Sequence, residues 1–490
     1  MPTTDRPNIL LIMTDQQRGD CLGAAGHPVV QTPQLDELAG AGTRFNRAYS
    51  TCPSCIAARR SLLSGQFPTS HGMVGYAAHQ QWEPAATLPD ELRKAGYHTG
   101  IVGRNMHQHP FRKRYGYEQM SLAGGVNQSD DYSQWLKERV TSGGNYYGAG
   151  PGHNDWVARP WHQDENLHQT NWTVDRALEF LEKRDPTVPY FLTVSFLAPH
   201  PPLTPPAFYY DRYRNMDLSK PAIGDWCAKP DAALTGSRMN ASRIDLKAEA
   251  LASMQAGYFG LINHVDDQLR RIFNQPTSMV DANTVVIFTS DHGEMLGDHY
   301  MFRKSEPYQS SACVPMIFSA PKLGINQCNV RDEAVCLEDI MPTCLELAGV
   351  PIPPSVDGRS LVPLLTQGKS KAASKTAGKT AGKSAGKTAS KAIAASDWRE
   401  WLFGEHAPNA HYVTDGRYKF VWRPADGSEQ FFDLDKDPKE LHNLVSLTKH
   451  KRLAVKWRKR LVDHLTDRPE GFVKNGKLIA GQPYGALIPR

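Results

Sequence analysis

Asn8-Ile9-Leu10-Leu11-Ile12-Met13-Thr14-Asp15-Gln16 is the stretch on which the fold turns. A short unbroken apolar run that stops at polar residues is the mark of a strand covered on both faces. The pattern recurs at residues 98–102, 190–196, 284–289 and 315–319. Between these runs, residues 34–41, 88–95, 173–183 and 251–273 carry apolar side chains at helical spacing. Strands alternating with helices predict an α/β fold: a mixed, mostly parallel sheet flanked by helices. Ligand-binding residues in such sheets collect beyond the carboxyl ends of strands. Asp15, His200 and Asp291 each follow a predicted strand and fall at that kind of place.

The chain has 490 residues, 40% hydrophobic and 22% charged, enough for a large core and more than one domain. No apolar window is long enough to span a bilayer, so no membrane association is expected. The run 9–13 is too short, and too quickly followed by polar residues, for a signal peptide. The chain as given therefore reads as cytoplasmic, or as periplasmic or secreted if a leader was removed. The net charge of +5 rests on seven lysines between Lys369 and Lys391; without them 49 basic residues face 51 acidic ones. The basic balance belongs to one tract and does not point to nucleic acid. Eight scattered cysteines do not make a disulfide framework.

Three regions are expected: a catalytic domain at 1–367, a Lys/Ala/Ser/Thr/Gly-rich insertion at 368–396, and a C-terminal subdomain at 397–490. The insertion cannot bury a core and reads as solvated and flexible. Its Gly-Lys-Thr and Gly-Lys-Ser triplets lack the earlier glycine and the preceding strand of a phosphate loop. After it, residues 419–422 and 430–434 read as strands around an Asp-Gly turn, followed by a helix near 450–465, so a small antiparallel sheet plus helix is expected. The Gly- and Pro-rich end after Arg468 reads as an arm that could cross to a second subunit, making a homo-oligomer.

Cys52-Pro53-Ser54-Cys55-Ile56-Ala57-Ala58-Arg59 leads into an apolar helical run that ends at Gly65. Cys52 and Cys55 have the spacing of a redox pair or half a zinc site, but no second ligand pair accompanies them. A cysteine at a helix start lies in a field that suits anions, and Arg59, one turn on, shares its face. Here the sequence resembles the type I sulfatases of the alkaline phosphatase superfamily, whose signature is C-x-P-x-R followed six residues later by glycine. The family oxidises that cysteine to formylglycine, whose hydrated aldehyde is the nucleophile. Ala57 stands where the signature has proline, a variant linked in the family to a radical-based maturation system. The resemblance thus implies a formylglycine-generating or radical maturase as partner, with retention of the thiol as the alternative.

The resemblance runs from Pro7 to about Leu444. Residues 7–16 look like the family's opening strand and first metal ligands, and Thr289-Ser290-Asp291-His292-Gly293 like its second metal segment. Met301-Phe302-Arg303-Lys304 and Pro199-His200-Pro201-Pro202 are similar to segments carrying an active-site lysine and histidine. Phe432-Asp433-Leu434-Asp435-Lys436-Asp437-Pro438 resembles the C-terminal run. The implied metal ligands are Asp15, Gln16, Asp291 and His292, with an oxygen on residue 55. One divalent ion is implied, calcium first. Gln16 and His292 stand where many relatives have a second Asp and an Asn, so magnesium or manganese ranks second. The segment Gly103-Arg104-Asn105-Met106-His107 departs from the usual Gly-Lys-x-His: Arg104 replaces the lysine, and the histidine is displaced to His107. The sequence leaves open whether His107 reaches the site.

These implications make the chain a sulfuric ester hydrolase acting on an aryl or carbohydrate sulfate. Cys55, Arg59, Arg104, His107, His200 and Lys304 are its implied catalytic residues. A phosphonate monoester or phosphodiester hydrolase of the same superfamily is the nearest alternative. A catalytically silent binder of sulfated glycans is the alternative outside enzymes. The loops at 124–172 and 204–248 carry Trp, Tyr, His and Arg that suit a sugar or aryl ring, without a readable code.

Overall fold

Ile9, Leu10, Leu11, Ile12 and Met13 are all fully buried, and they form the middle of the central strand. The computed structural model describes residues 6–124, 130–142, 144–231, 238–274, 280–366 and 398–489; the Lys-rich tract lies outside them. In chain order the first strands are β1 (Asn8–Asp15), β2 (Thr43–Phe45), β3 (Ala48–Tyr49), β4 (His98–Gly103), β5 (Gln119–Leu122) and β6 (Tyr190–Pro199). They are followed by β7 (Thr284–Ser290), β8 (Met316–Ser319), β9 (Asn329–Arg331) and β10 (Val335–Cys336). Eight of them make one sheet in the order β5-β4-β6-β1-β7-β8-β2-β9, while β3 pairs with β10. The block from β5 to β7 is parallel; β8 runs antiparallel to both β7 and β2.

The two-residue period of a strand explains the double covering. Ile9, Leu11 and Met13 of β1, with Val285 and Ile287 of β7, join the core on one face, where Leu62, Leu92 and Met341 come from helices. Leu10, Ile12, Val286 and Phe288 point to the other face, against the helices Gln169–Lys183 and Ala248–Phe273. Each such side chain gains about 1.5–3 kcal/mol from burial before its ordering entropy is subtracted.

Because β4, β6, β1 and β7 are parallel neighbours, their carboxyl ends lie on one edge. Arg104, His200, Asp15 and Asp291 therefore emerge side by side at the end of, or one residue beyond, these strands. The chain turns sharply there. Gln16 has φ 74 and Gly103 has φ 88, both in the left-handed region.

A second sheet is antiparallel, β11 (Leu402–His406), β12 (Ala410–Thr414), β13 (Tyr418–Trp422) and β14 (Glu429–Asp433). The helix Lys451–Leu465 packs Trp457 and Leu461 on one of its faces. The other face sets Tyr412, Val421 and Phe432 against Tyr49, Met295 and Tyr308 of the main body. Only β13 and β14 were expected from sequence. β11 and β12 are interrupted by Gly404 and by the polar residues Glu405, His406 and His411, all buried here; Arg468 and Tyr484 meet Glu405 at 3.0 and 2.8 Å. The final arm makes backbone hydrogen bonds to its own chain. Val74 N donates to Ala486 O at 2.9 Å and Ile488 N to Gly72 O at 3.1 Å. Among the described residues no helix is long and apolar enough to cross a membrane.

Gly103 marks how tightly the edge is built, since a Cβ there would lie 2.0 Å from the Ser195 carbonyl oxygen. Gly103→Ala is expected to cost about 2 kcal/mol or more and to displace Arg104. Urea unfolding checks this; an unchanged midpoint would contradict it.

Candidate active site

Cys55 is the first residue of the fully buried helix Cys55–Ser64, which Gly65 closes in the left-handed region at φ 65. The helix start meets the carboxyl ends of β1 and β7. Cys55 Sγ lies 3.0 Å from His292 Nε2 and 3.6 Å from Asp15 Oδ1. Cys52 instead packs with Ile56, Ala57 and Met73 in an apolar cluster, and both cysteines are free thiols. The alternatives of a redox pair and a zinc half-site thus have no geometry to stand on. Burial first, and then the charge of Asp15, push the Cys55 thiol up to about 12. At neutral pH it is a protonated thiol, a weak nucleophile.

Arg59, one turn on and 0% exposed, joins the two acidic residues. Its Nε donates to Asp291 Oδ2 at 2.9 Å and its Nη2 to Asp15 Oδ2 at 3.1 Å. Nη1 donates to Ser195 Oγ at 3.0 Å and to Asn105 O at 3.2 Å. Arg104 adds a second cation, with Nε 3.2 Å from Asp15 Oδ2. Burial alone would raise the Asp15 pKa, but the positive groups around it, Arg59 and Arg104 among them, hold it well below the usual carboxylate range.

The remaining oxygens, Asp15 Oδ1 and Asp291 Oδ1, face His292 Nε2 at 3.8 and 3.7 Å. His292 Nδ1 lies 2.9 Å from the carbonyl of Gly293, so the ring proton sits on Nδ1 and Nε2 offers a lone pair. Burial keeps that ring neutral. The ligand atoms of Asp15, Cys55, Asp291 and His292 all lie within 4.8 Å of one another. Acceptors facing one another in a dry pocket fit a divalent cation, and two carboxylates with one imidazole suit a hard or borderline ion. Gln16 adjoins this group. Its backbone N donates to Asp291 Oδ1 at 3.0 Å, while its side-chain Oε1 accepts from Lys304 at 2.8 Å and its Nε2 donates to Glu294.

Above the cluster opens a cavity of about 950 Å³, lined by Cys55, Arg104, His107, His200 and Lys304 among others. Arg59 does not line it; its donors are taken up beneath. His200 Nδ1 donates to Pro201 O at 2.7 Å, leaving Nε2 to accept from Lys304 Nζ at 2.9 Å. Burial and then the Lys304 charge keep His200 neutral. His107, at φ 55, borders the cavity with its Nε2 buried and bonded to no described residue. The displaced histidine therefore does reach the cavity. Sequence reading missed His153, whose ring lies 4.4 Å from that of His200 on the cavity wall. It comes from the loop without a readable code, and no local pattern could have singled it out.

The geometry is that of a hydrolase of the alkaline phosphatase superfamily, and the chain belongs to the sulfatase family. The Sulfatase family model matches residues 7–350. The chain is 39% identical to an arylsulfatase of Clostridium perfringens, over 98% of this chain and 99% of that one. It is 24% identical to an N-acetylglucosamine-6-O-sulfatase of Bacteroides thetaiotaomicron, over 96% of this chain and 88% of that one. In fold it is similar to the phosphonate monoester hydrolase of Agrobacterium radiobacter, with a TM-score of 0.75 at 24% identity, covering 98% of this chain and 100% of that one. The protein is thus a sulfuric ester hydrolase. Membership of the family implies a divalent metal and formylglycine.

Removing Arg59 leaves two buried carboxylates without their shared partner. Arg59→Gln is expected to destabilise the metal-free protein by about 3–5 kcal/mol. Urea unfolding in chelator measures this, and a loss below about 1 kcal/mol would refute the clamp.

Proposed function

We propose that the protein cleaves the sulfate ester of an aryl or saccharide alcohol at residue 55. The observation that carries this is a cysteine at a helix start, in reach of a cation-ready cluster, on the floor of a cavity rich in Arg, Lys and His. When bound and formed, the divalent metal and the hydrated formylglycine would supply a polarised sulfate oxygen and a hydroxyl nucleophile at position 55. Asp15, Asp291, His292 and the position-55 oxygen would hold the metal, with Gln16 beside them. Calcium is the first choice, as the family frame favours it; magnesium or manganese is the second, given the imidazole in the set.

The chain's own residues divide the remaining work. Arg104 and Lys304 meet the charge that grows on the sulfate oxygens, in a site where dipoles and charges are held in advance. Arg59 fixes the two carboxylates from beneath and acts through them. Lys304, hydrogen-bonded to neutral His200, is poised to deliver a proton to the leaving oxygen, after which the pair shares the loss. His107, neutral because burial and the nearby arginines depress it, can take up a proton when sulfate is expelled. Exposed Tyr76 and partly buried Phe111 on the cavity wall suit a ring-bearing alcohol. The second reading is a phosphonate monoester hydrolase of the same superfamily, supported by the likeness in fold to one.

Three measurements test this. On matured enzyme, kcat/KM for 4-nitrophenyl sulfate is expected to exceed that for an aryl phosphonate monoester; the reverse order would move the protein to the second reading. Lys304→Ala is expected to lower kcat by ~10²-fold or more on an alkyl sulfate but much less on 4-nitrophenyl sulfate, whose leaving group needs little protonation. Equal losses on both would remove Lys304 from proton delivery. Chelation is expected to abolish turnover and calcium to restore it; restoration by manganese or magnesium alone would reverse the ranking of metals.

A further inference from the structure

Three arginines line the cavity outside the inner group, and none forms an ion pair with a carboxylate among the described residues. Arg60 donates to Gln80 O at 2.8 Å and lies over the Trp82 ring. Arg243 donates to Ala228 O at 3.1 Å, and Arg303 to Asn240 O at 2.7 Å and Asn154 O at 3.4 Å. The acidic side chain of the lining, Glu306, is engaged by Arg423 at 3.1 Å. Glu294 and Asp155 act on Arg303 from a distance, but their carboxylates are taken by other donors. Glu294 accepts from Gln16 and the backbone of Leu296 and Arg303, and Asp155 accepts from Gly152 N.

Arg243 and Arg303 share one wall. Arg243 pairs in antiparallel register with Met301, and Phe302 N donates to Ser242 O at 3.0 Å, so the two arginines flank one ladder that runs into Lys304. Arg104 and Lys304 already face the single charge of a sulfate monoester. The further guanidinium groups, Arg303 half-buried and Arg243 exposed at the rim, are held to carbonyls and have no carboxylate partner among the described residues, so their charge is left for a ligand that brings more negative charge.

We propose that the wall of Arg243 and Arg303 is a second anion subsite, and that the preferred substrate is a sulfate ester bearing a further oxyanion, carboxylate or sulfate, away from the bond that is cleaved. The inference rests on the sulfate-ester reading and deepens it. It is tested on full-length matured enzyme with 4-nitrophenyl sulfate and an analogue carrying a ring carboxylate, using native protein, R243Q, R303Q and the double variant. Native enzyme is expected to favour the dianion by about tenfold or more in kcat/KM, since charge-assisted hydrogen bonds are worth that much. The preference should shrink with added salt. In the double variant the ratio should fall towards one while turnover of the monosulfate stays unchanged. Equal kcat/KM on the two esters in native enzyme, or a preference that survives in the double variant, overturns the subsite. If neither sulfate is turned over while an aryl phosphonate is, the sulfate-ester reading falls and the inference with it.

Discussion

Asp15 and Asp291 arrive on different strands, and like charges at such a distance in a dry interior would drive the strand ends apart. Arg59 prevents this by donating to each from a separate nitrogen, 3.1 and 2.9 Å away. The outer oxygens of both residues are thereby fixed, and those oxygens turn towards His292 and residue 55. A planar guanidinium can hold two carboxylates in one arrangement, which a lysine ammonium cannot do with the same precision. The helix Cys55–Ser64 must lie where it does for this contact to form, and its complete burial shows how firmly the surroundings hold it. Site and fold therefore share one constraint: the clamp needs the parallel strand ends in register, and the strand ends need the clamp.

Much of this order was legible in the sequence because the decisive signals are local. The apolar runs mark the central strands within a few residues, since a strand buried on both faces admits almost nothing polar. Asp15, His200 and Asp291 could be placed from their position after such runs. Arg104 could be named only from the family resemblance, although it too follows a strand. Contacts between distant segments were not legible. Nothing near Gln16 announces that its amide joins Lys304 and Glu294, residues almost three hundred positions away. Nothing near His153 announces His200. β11 and β12 escaped notice because Glu405 and His411 look like surface residues until Arg468 and Tyr484 from the chain's end are folded over them.

Arg59 also shows the limit of motif reading. Its place in the signature suggests direct contact with the substrate, yet each of its three nitrogens is hydrogen-bonded beneath the cavity floor. The groups that reach the cavity are Arg104, Lys304, His107 and His200, with position 55 at the centre. This separates two layers of function. The lower layer holds charge balance and a cation, and it depends on the sheet. The upper layer faces the substrate, and much of it comes from the irregular loops that supply His153, Asn154 and Arg243. Chemistry is thus tied to the fold, while selectivity is free to vary with loops of no regular pattern.

The central claim is that residue 55 works as an aldehyde and not as a thiol. Burial in an acidic cluster keeps the thiol protonated at neutral pH, so the unmodified side chain is poorly suited to attack. The most direct test is the mass of the proteolytic peptide spanning Cys55, from protein produced with a competent maturase of either kind. The account predicts the mass of the formylglycine form, in proportion to the specific activity of the preparation. Full activity in protein whose peptide retains the cysteine mass would contradict it.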